Sequence, residues 1–312
     1  MTMLDPQAKA VLDELARRQS AQPEPRDDGD ALANARAMTG GLADFSGAPE
    51  DVAAVEDIAV DSPAGPIPVR LYRPAGEGRL PLLIWYHGGG GMAGSLQSHD
   101  AALRSLANST ARAIAAVDYR LAPDHSFPAP HEDCFAATRA LAAQAEALGC
   151  DPGRIAIGGD SIGGLFALVV ALELRDAGET LPEALVVLYP NSDFRPDRDW
   201  PSLTEESGHV MTVESLAYEN DLYVPDRADR YAPEASPFLA PDLSRLPRTL
   251  FVTCERDPLR DEGEAFATRL AEAGVSLIRQ REPGMIHGFL QMGGWIGATA
   301  GLRDRIAAFL DA

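Results

Sequence analysis

The stretch Arg154-Ile155-Ala156-Ile157-Gly158-Gly159-Asp160-Ser161-Ile162-Gly163-Gly164-Leu165-Phe166 decides the fold of this chain. It reads as a strand over residues 154–157, a sharp turn carrying Ser161, and a helix over about 163–176. A strand-to-helix turn this tight needs close backbone approach and strained dihedrals around the serine, which Gly159 and Gly163 permit. A helix beginning there points its first N–H groups at the serine. A pentapeptide alone is a short motif in a chain with 28 glycines, so the surroundings have to carry the reading.

Upstream, Leu80 to Tyr86 is a continuous apolar run, the pattern of a strand buried on both faces of a parallel sheet. It ends in His87-Gly88-Gly89-Gly90-Gly91. Before it, Ile58–Val60 and Ile67–Tyr72 read as an antiparallel opening pair separated by Ser62-Pro63-Ala64-Gly65-Pro66. Helices near 100–110 and 133–148 then alternate with a strand near 113–117. Downstream come strands near 185–189, 249–253 and 275–281, with helices near 263–273 and 298–310. Such alternation predicts a doubly wound α/β fold with a mostly parallel central sheet flanked by helices.

Two segments break the alternation. In the first, Leu4, Ala8, Val11, Leu12 and Leu15 form one apolar stripe on a helix ending near Ser20, followed by a second helix over 30–38. The other, 190–247, mixes prolines with Phe194, Trp200, Tyr218, Tyr223 and Tyr231 around a helix at 212–222. We therefore expect an N-terminal helical cap segment over 1–51 and a catalytic domain over 52–312, with 190–247 contributing a cap insertion.

The 312 residues, 46% hydrophobic, suffice for one large core. With 27 basic against 47 acidic residues, the net charge of −20 repels nucleic-acid phosphate and anionic membrane surfaces. Cys134, Cys150 and Cys254 are odd in number and lack metal-ligand spacing, so neither a disulfide framework nor a metal site is expected. No basic start with an apolar run opens the chain, and a cytoplasmic location is the expectation.

A serine hydroxyl is a poor nucleophile until an oriented base takes its proton. Of His87, His99, His125, His131, His209 and His287, only His287 follows a late strand in a glycine-bearing loop. Asp257 follows the strand near 249–253, so one helix and one strand separate it from His287, and both emerge at the same carboxyl edge of the sheet. Asp193 and Asp261 are the alternative acids. The glycines after His87 can approach a developing oxyanion with no side chain in the way, joined by the backbone N–H of Ile162. A phosphate-binding loop is disfavoured, because neither GxGxxG nor a Gly-Lys-Ser/Thr ending occurs.

Taken in order, His87-Gly88-Gly89-Gly90, Asp118-Tyr119-Arg120-Leu121-Ala122-Pro123 with Phe127-Pro128-Ala129, Gly159-Asp160-Ser161-Ile162-Gly163-Gly164, Asp257-Pro258-Leu259-Arg260-Asp261-Glu262-Gly263 and Gly284-Met285-Ile286-His287-Gly288-Phe289 resemble the hormone-sensitive-lipase family of microbial esterases, bacterial family IV, of the α/β-hydrolase fold. The resemblance implies Ser161, Asp257 and His287 as a catalytic triad and Gly88, Gly89 and Ile162 as the oxyanion hole. It implies hydrolysis of short-chain acyl esters without cofactor or metal, on small-molecule ester substrates, and it allows a homodimer through an edge strand. An amide or peptide hydrolase with the same triad is the nearest alternative. A non-catalytic binding protein of this fold would lack a triad member, most tellingly the histidine. Three positions depart from the family pattern: Ile162 replaces an alanine and is expected to crowd the acyl pocket, Leu165 replaces an asparagine, and Gly91 stands where an aromatic residue is frequent.

Overall fold

In the computed structural model, which describes residues 3–312, an eight-stranded sheet runs through the chain. Its strands are β1 (Ala54–Val60), β2 (Ile67–Arg73), β3 (Leu80–Tyr86), β4 (Ala113–Val117), β5 (Cys150–Asp160), β6 (Ala184–Leu188), β7 (Arg248–Arg256) and β8 (Leu277–Ile286). Their order is β1-β2-β4-β3-β5-β6-β7-β8. The β1/β2 and β2/β4 pairs are antiparallel and all others parallel. The expected antiparallel opening and parallel body are both present.

The pleat sorts the core into two layers. In β3, Leu82, Ile84 and Tyr86 enter one cluster, and Leu83 and Trp85 the other, as a period of two demands. The first cluster is covered by α4 (Ala129–Gln144), α5 (Ile162–Asp176) and α8 (Arg260–Glu272). The second is covered by α3 (Leu96–Thr110), α9 (Ala298–Asp311) and the N-terminal α1 (Pro6–Ala21). Helix α1 is capped by Asp5, whose side chain accepts from the Gln7 and Ala8 N–H groups, and it buries Ala8, Val11 and Leu15. Helix α2 (Asp28–Gly40) buries no residue fully.

Several boundaries move relative to the sequence reading, each for a local reason. Helix α3 starts at Leu96 because Ser95 and Ser98 form a reciprocal capping box, a signal hidden among polar residues. Helix α4 begins at Ala129, with Pro130 in its first turn, and ends at Gln144, short of the expected 148. Strand β8 continues through Gly284-Met285-Ile286, so His287 leaves directly from a strand end and not from a free loop. In the 190–247 segment, α6 (Pro201–Glu205) precedes α7 (Val213–Tyr223), the latter capped by Thr212 and Ser215. No helix among the described residues is long and apolar enough to cross a membrane.

Candidate active site

Ser161 occupies the turn between β5 and α5, at φ 56° and ψ −125°. A non-glycine residue there is strained by roughly 1–3 kcal/mol, a cost the surrounding structure must over-determine. The enforcing packing is visible at Gly163, where a Cβ would lie 2.0 Å from the Tyr86 carbonyl oxygen, and at Gly159, where it would lie 2.3 Å from the Gly163 backbone. The Ser161 N–H donates to the Leu188 carbonyl at 2.9 Å, tying the turn to the end of β6.

Because β5, β6, β7 and β8 are parallel neighbours, their carboxyl ends deliver side chains to one place. His287 Nε2 is 2.8 Å from Ser161 Oγ, and His287 Nδ1 is 2.8 Å from Asp257 Oδ2. The other Asp257 oxygen accepts the Leu259 N–H at 2.9 Å, which fixes the carboxylate plane. Asp257 is 1% exposed and His287 5%. Burial disfavours charge on His287, but the carboxylates of Asp257, Glu219 and Asp160 outweigh it and raise its pKa above the ordinary 6.5. The Tyr189 ring packs edge-on against the imidazole at 4.9 Å. A serine, an imidazole and a buried carboxylate in this line can move a proton off the hydroxyl and hold the resulting charge.

The glycine loop after β3 lies beside the serine. A Cβ on Gly88 would come within 3.3 Å of Ser161 Cβ, and one on Gly89, at φ +127°, within 2.3 Å of the Ala93 carbonyl oxygen. Behind the loop is a buried polar network that the sequence reading did not find. Trp85 Nε1 donates to Asp160 Oδ1 at 3.1 Å, and His99 Nε2 lies 3.3 Å from Asp160 Oδ2. Gln291 Nε2 donates to the Ser98 carbonyl and lies 3.1 Å from His99 Nδ1, so Nδ1 accepts and Nε2 carries the proton toward Asp160. That tautomer leaves the Gly88 N–H, 3.4 Å from Nε2, without an acceptor there. Burial opposes charge on Asp160, but the His99, His87 and Trp85 groups around it hold its carboxyl below the ordinary range. Burial, reinforced by His99, pushes His87 down to about 3, so it is neutral, with Nδ1 2.8 Å from the Gly88 carbonyl.

The remaining candidates lie elsewhere. Asp193 accepts from Arg195 and from the Trp200 indole, and Asp261 accepts the Ser202 N–H. Neither is bonded to His287. Ile162 and Leu165 are fully buried in the core beneath α5, and neither is among the residues lining the cavity over Ser161. The expectation that the Ile162 side chain crowds the acyl pocket is therefore not supported: as the first residue of a helix it points its side chain into the core. At Gly91, the Tyr223 ring of α7 sits where a Cβ would be, 2.8 Å away, so an aromatic ring covers this position from another segment.

That cavity, of about 590 Å³, is lined by Ser161, His287, Gly88, Gly89 and Gly90 at its floor. Its walls come from α1 (Leu12, Leu15), α2 (Ala35, Met38) and the 208–219 segment (Val210, Met211, Glu219). Glu219 is half-buried, and desolvation raises its carboxyl to about 7 against the opposing pull of His287. No sequence periodicity signalled it, since its meaning depends on where α7 lands.

A serine turn after a parallel strand, with a histidine and an aspartate from later strand ends aligned on it, defines the class as an α/β-fold hydrolase. The family described as the alpha/beta hydrolase fold matches residues 83–291, and the chain belongs to it, within the hormone-sensitive-lipase group. Over 263 residues the chain is 39% identical to carboxylic ester hydrolase LipN of Mycobacterium tuberculosis, covering 81% of this chain and 69% of that protein. It is 36% identical to the ethyl acetate hydrolase of Pseudomonas putida over 255 residues, 80% of each chain. Among solved structures, an ester hydrolase from the metagenome of Lake Arreo, complexed with a derivative of bipyridine phosphonate, superimposes with a TM-score of 0.92 at 38% identity, covering 99% of this chain and 98% of that one.

Proposed function

We propose that this protein hydrolyses short-chain acyl esters through an acyl-enzyme, with Ser161 as nucleophile, His287 as base and Asp257 as the acid that orients it. The coarse activity, carboxylic ester hydrolysis, is that of its family. The observation that carries the assignment of roles is the line Ser161–His287–Asp257, with both links at 2.8 Å. His287 takes the hydroxyl proton as Oγ attacks the ester carbonyl, and Asp257 stabilises the imidazolium. The tetrahedral oxyanion is held by the backbone N–H groups of Gly88, Gly89 and Ile162, each donor being worth roughly 3 kcal/mol of transition-state stabilisation. His287 returns its proton to the leaving alcohol, and water attacks the acyl-enzyme by the same path. Residues 1–51 and 190–247 act as the two parts of a cap, a reading supported by the cavity walls they supply.

Because the neutral imidazole is the base, kcat/KM falls as pH drops through the His287 pKa. That pKa is raised, so the acid limb of the profile is expected above 6.5. A limb well below that value would show that Asp257 does not act on His287. Chain length is tested with p-nitrophenyl acetate, butyrate, octanoate and palmitate. The expected optimum lies at acetate or butyrate, and an optimum at palmitate overturns the short-chain assignment. An anilide of the same acyl group is expected to react far more slowly than the ester. A preference for the anilide would favour the amidase alternative.

A further inference from the structure

The carboxyl of Glu219 hangs over the glycine loop without a hydrogen bond to Ser161, His287 or Asp257. A Cβ at Gly90, at φ +62°, would lie 2.5 Å from Glu219 Oε2, 2.9 Å from its Cδ and 3.1 Å from its Cγ. Only a bare backbone at position 90 lets the carboxyl rest there, next to the residues that hold the oxyanion. Glu219 lines the same cavity as Ser161 and His287. Yet among the described residues it has neither a hydrogen bond nor an ion pair, whereas the buried carboxylates Asp160, Asp193, Glu206 and Glu262 are all paired. A half-buried carboxylate that faces the cavity without a hydrogen-bond partner of its own is open to pair with a cationic group that enters there.

Apart from His287, no group that can carry positive charge lines the cavity among the described residues. Among the described residues lining it there is no lysine or arginine, and its other carboxylates are Asp160, spent on His99 and Trp85, and Glu214 at the exposed start of α7. A net charge of −20 adds a field that concentrates cations and repels anions. Resting on the esterase reading above, we propose that Glu219 is a specificity-determining residue that pairs with an ammonium group on the substrate, so that the preferred esters are amino or quaternary-ammonium esters. The group deprotonates near 7, so the pairing operates on the alkaline side of that value.

The test compares two substrate pairs on the alkaline side of about 7, where Glu219 is ionised. Acetylcholine against neohexyl acetate places a cation, or its uncharged isostere, on the alcohol part. Ethyl γ-aminobutyrate against ethyl valerate does the same on the acyl part. Because the ratio of kcat/KM is taken within one enzyme, changes common to the catalytic machinery cancel. For at least one pair the parent enzyme is expected to favour the cationic ester by more than about tenfold, the scale of one close pairing of opposite charges in a partly desolvated site. In Glu219→Gln that ratio is expected to fall to about one. Ratios near one for both pairs in the parent, or a preference that persists in Glu219→Gln, overturn the proposal. In either case hydrolysis of neohexyl acetate and ethyl valerate by the parent leaves the esterase reading standing. Failure to cleave either neutral ester overturns that reading instead.

Discussion

Replacing Ser161 with alanine is expected to lower kcat for p-nitrophenyl butyrate by about 10⁵–10⁶-fold, because a triad serine acts as a unit with its base and its loss removes nearly the whole covalent path. The residue that remains should still outpace water by roughly 10³–10⁴-fold, since the oxyanion donors and substrate positioning are left in place. The substitution suits the fold, although Ser161 sits at φ 56°. Alanine has the same Cβ as serine, so the strain of the turn is unchanged and only the Oγ bond to His287 Nε2 is lost. Circular dichroism and thermal unfolding should therefore match the parent, while an active-site phosphonate no longer labels the protein. Parent-like turnover by Ser161→Ala would move the nucleophile elsewhere and undo the mechanism at its first step.

The parts of this site that the sequence made legible are those whose geometry is set by local rules. Ser161 was readable because a strand, two tightly packed glycines and a helix start are all encoded within a dozen residues, and the Cβ clashes at Gly159 and Gly163 show why no other residue serves there. Asp257 and His287 were readable because parallel strands deliver their carboxyl ends to one edge, so chain order stands in for position. What escaped is what depends on packing between distant segments. His99 and Gln291 lie far apart in the chain, yet together they fix the tautomer facing Asp160. Glu219 matters only because α7 is laid across Gly90. The Ile162 side chain was misplaced for a related reason: its position beside Ser161 in sequence suggests the pocket, but the first turn of α5 rotates it into the core.

Asp257→Asn is the second large effect, and it separates orientation of the base from structural support. Asp257 Oδ2 accepts the Nδ1–H of His287, leaving Nε2 unprotonated and aimed at Ser161 Oγ. An asparagine can present its amide N–H₂ to Nδ1, which favours the opposite tautomer, with the proton on Nε2 where the base should be empty. The expected loss is about 10⁴-fold in kcat with the backbone unchanged. The pH profile carries an independent sign. The carboxylate raises the His287 pKa against the lowering effect of burial, so removing its charge lets that pKa fall, and the acid limb moves to lower pH even as the plateau drops. Asp193→Asn supplies the contrast. Asp193 is fully buried and holds Arg195 and Trp200, with no bond to His287. Its substitution is expected to lower the unfolding temperature while leaving the acid limb in place. If the limb moves with Asp193→Asn and stays fixed with Asp257→Asn, the acid has been assigned to the wrong strand.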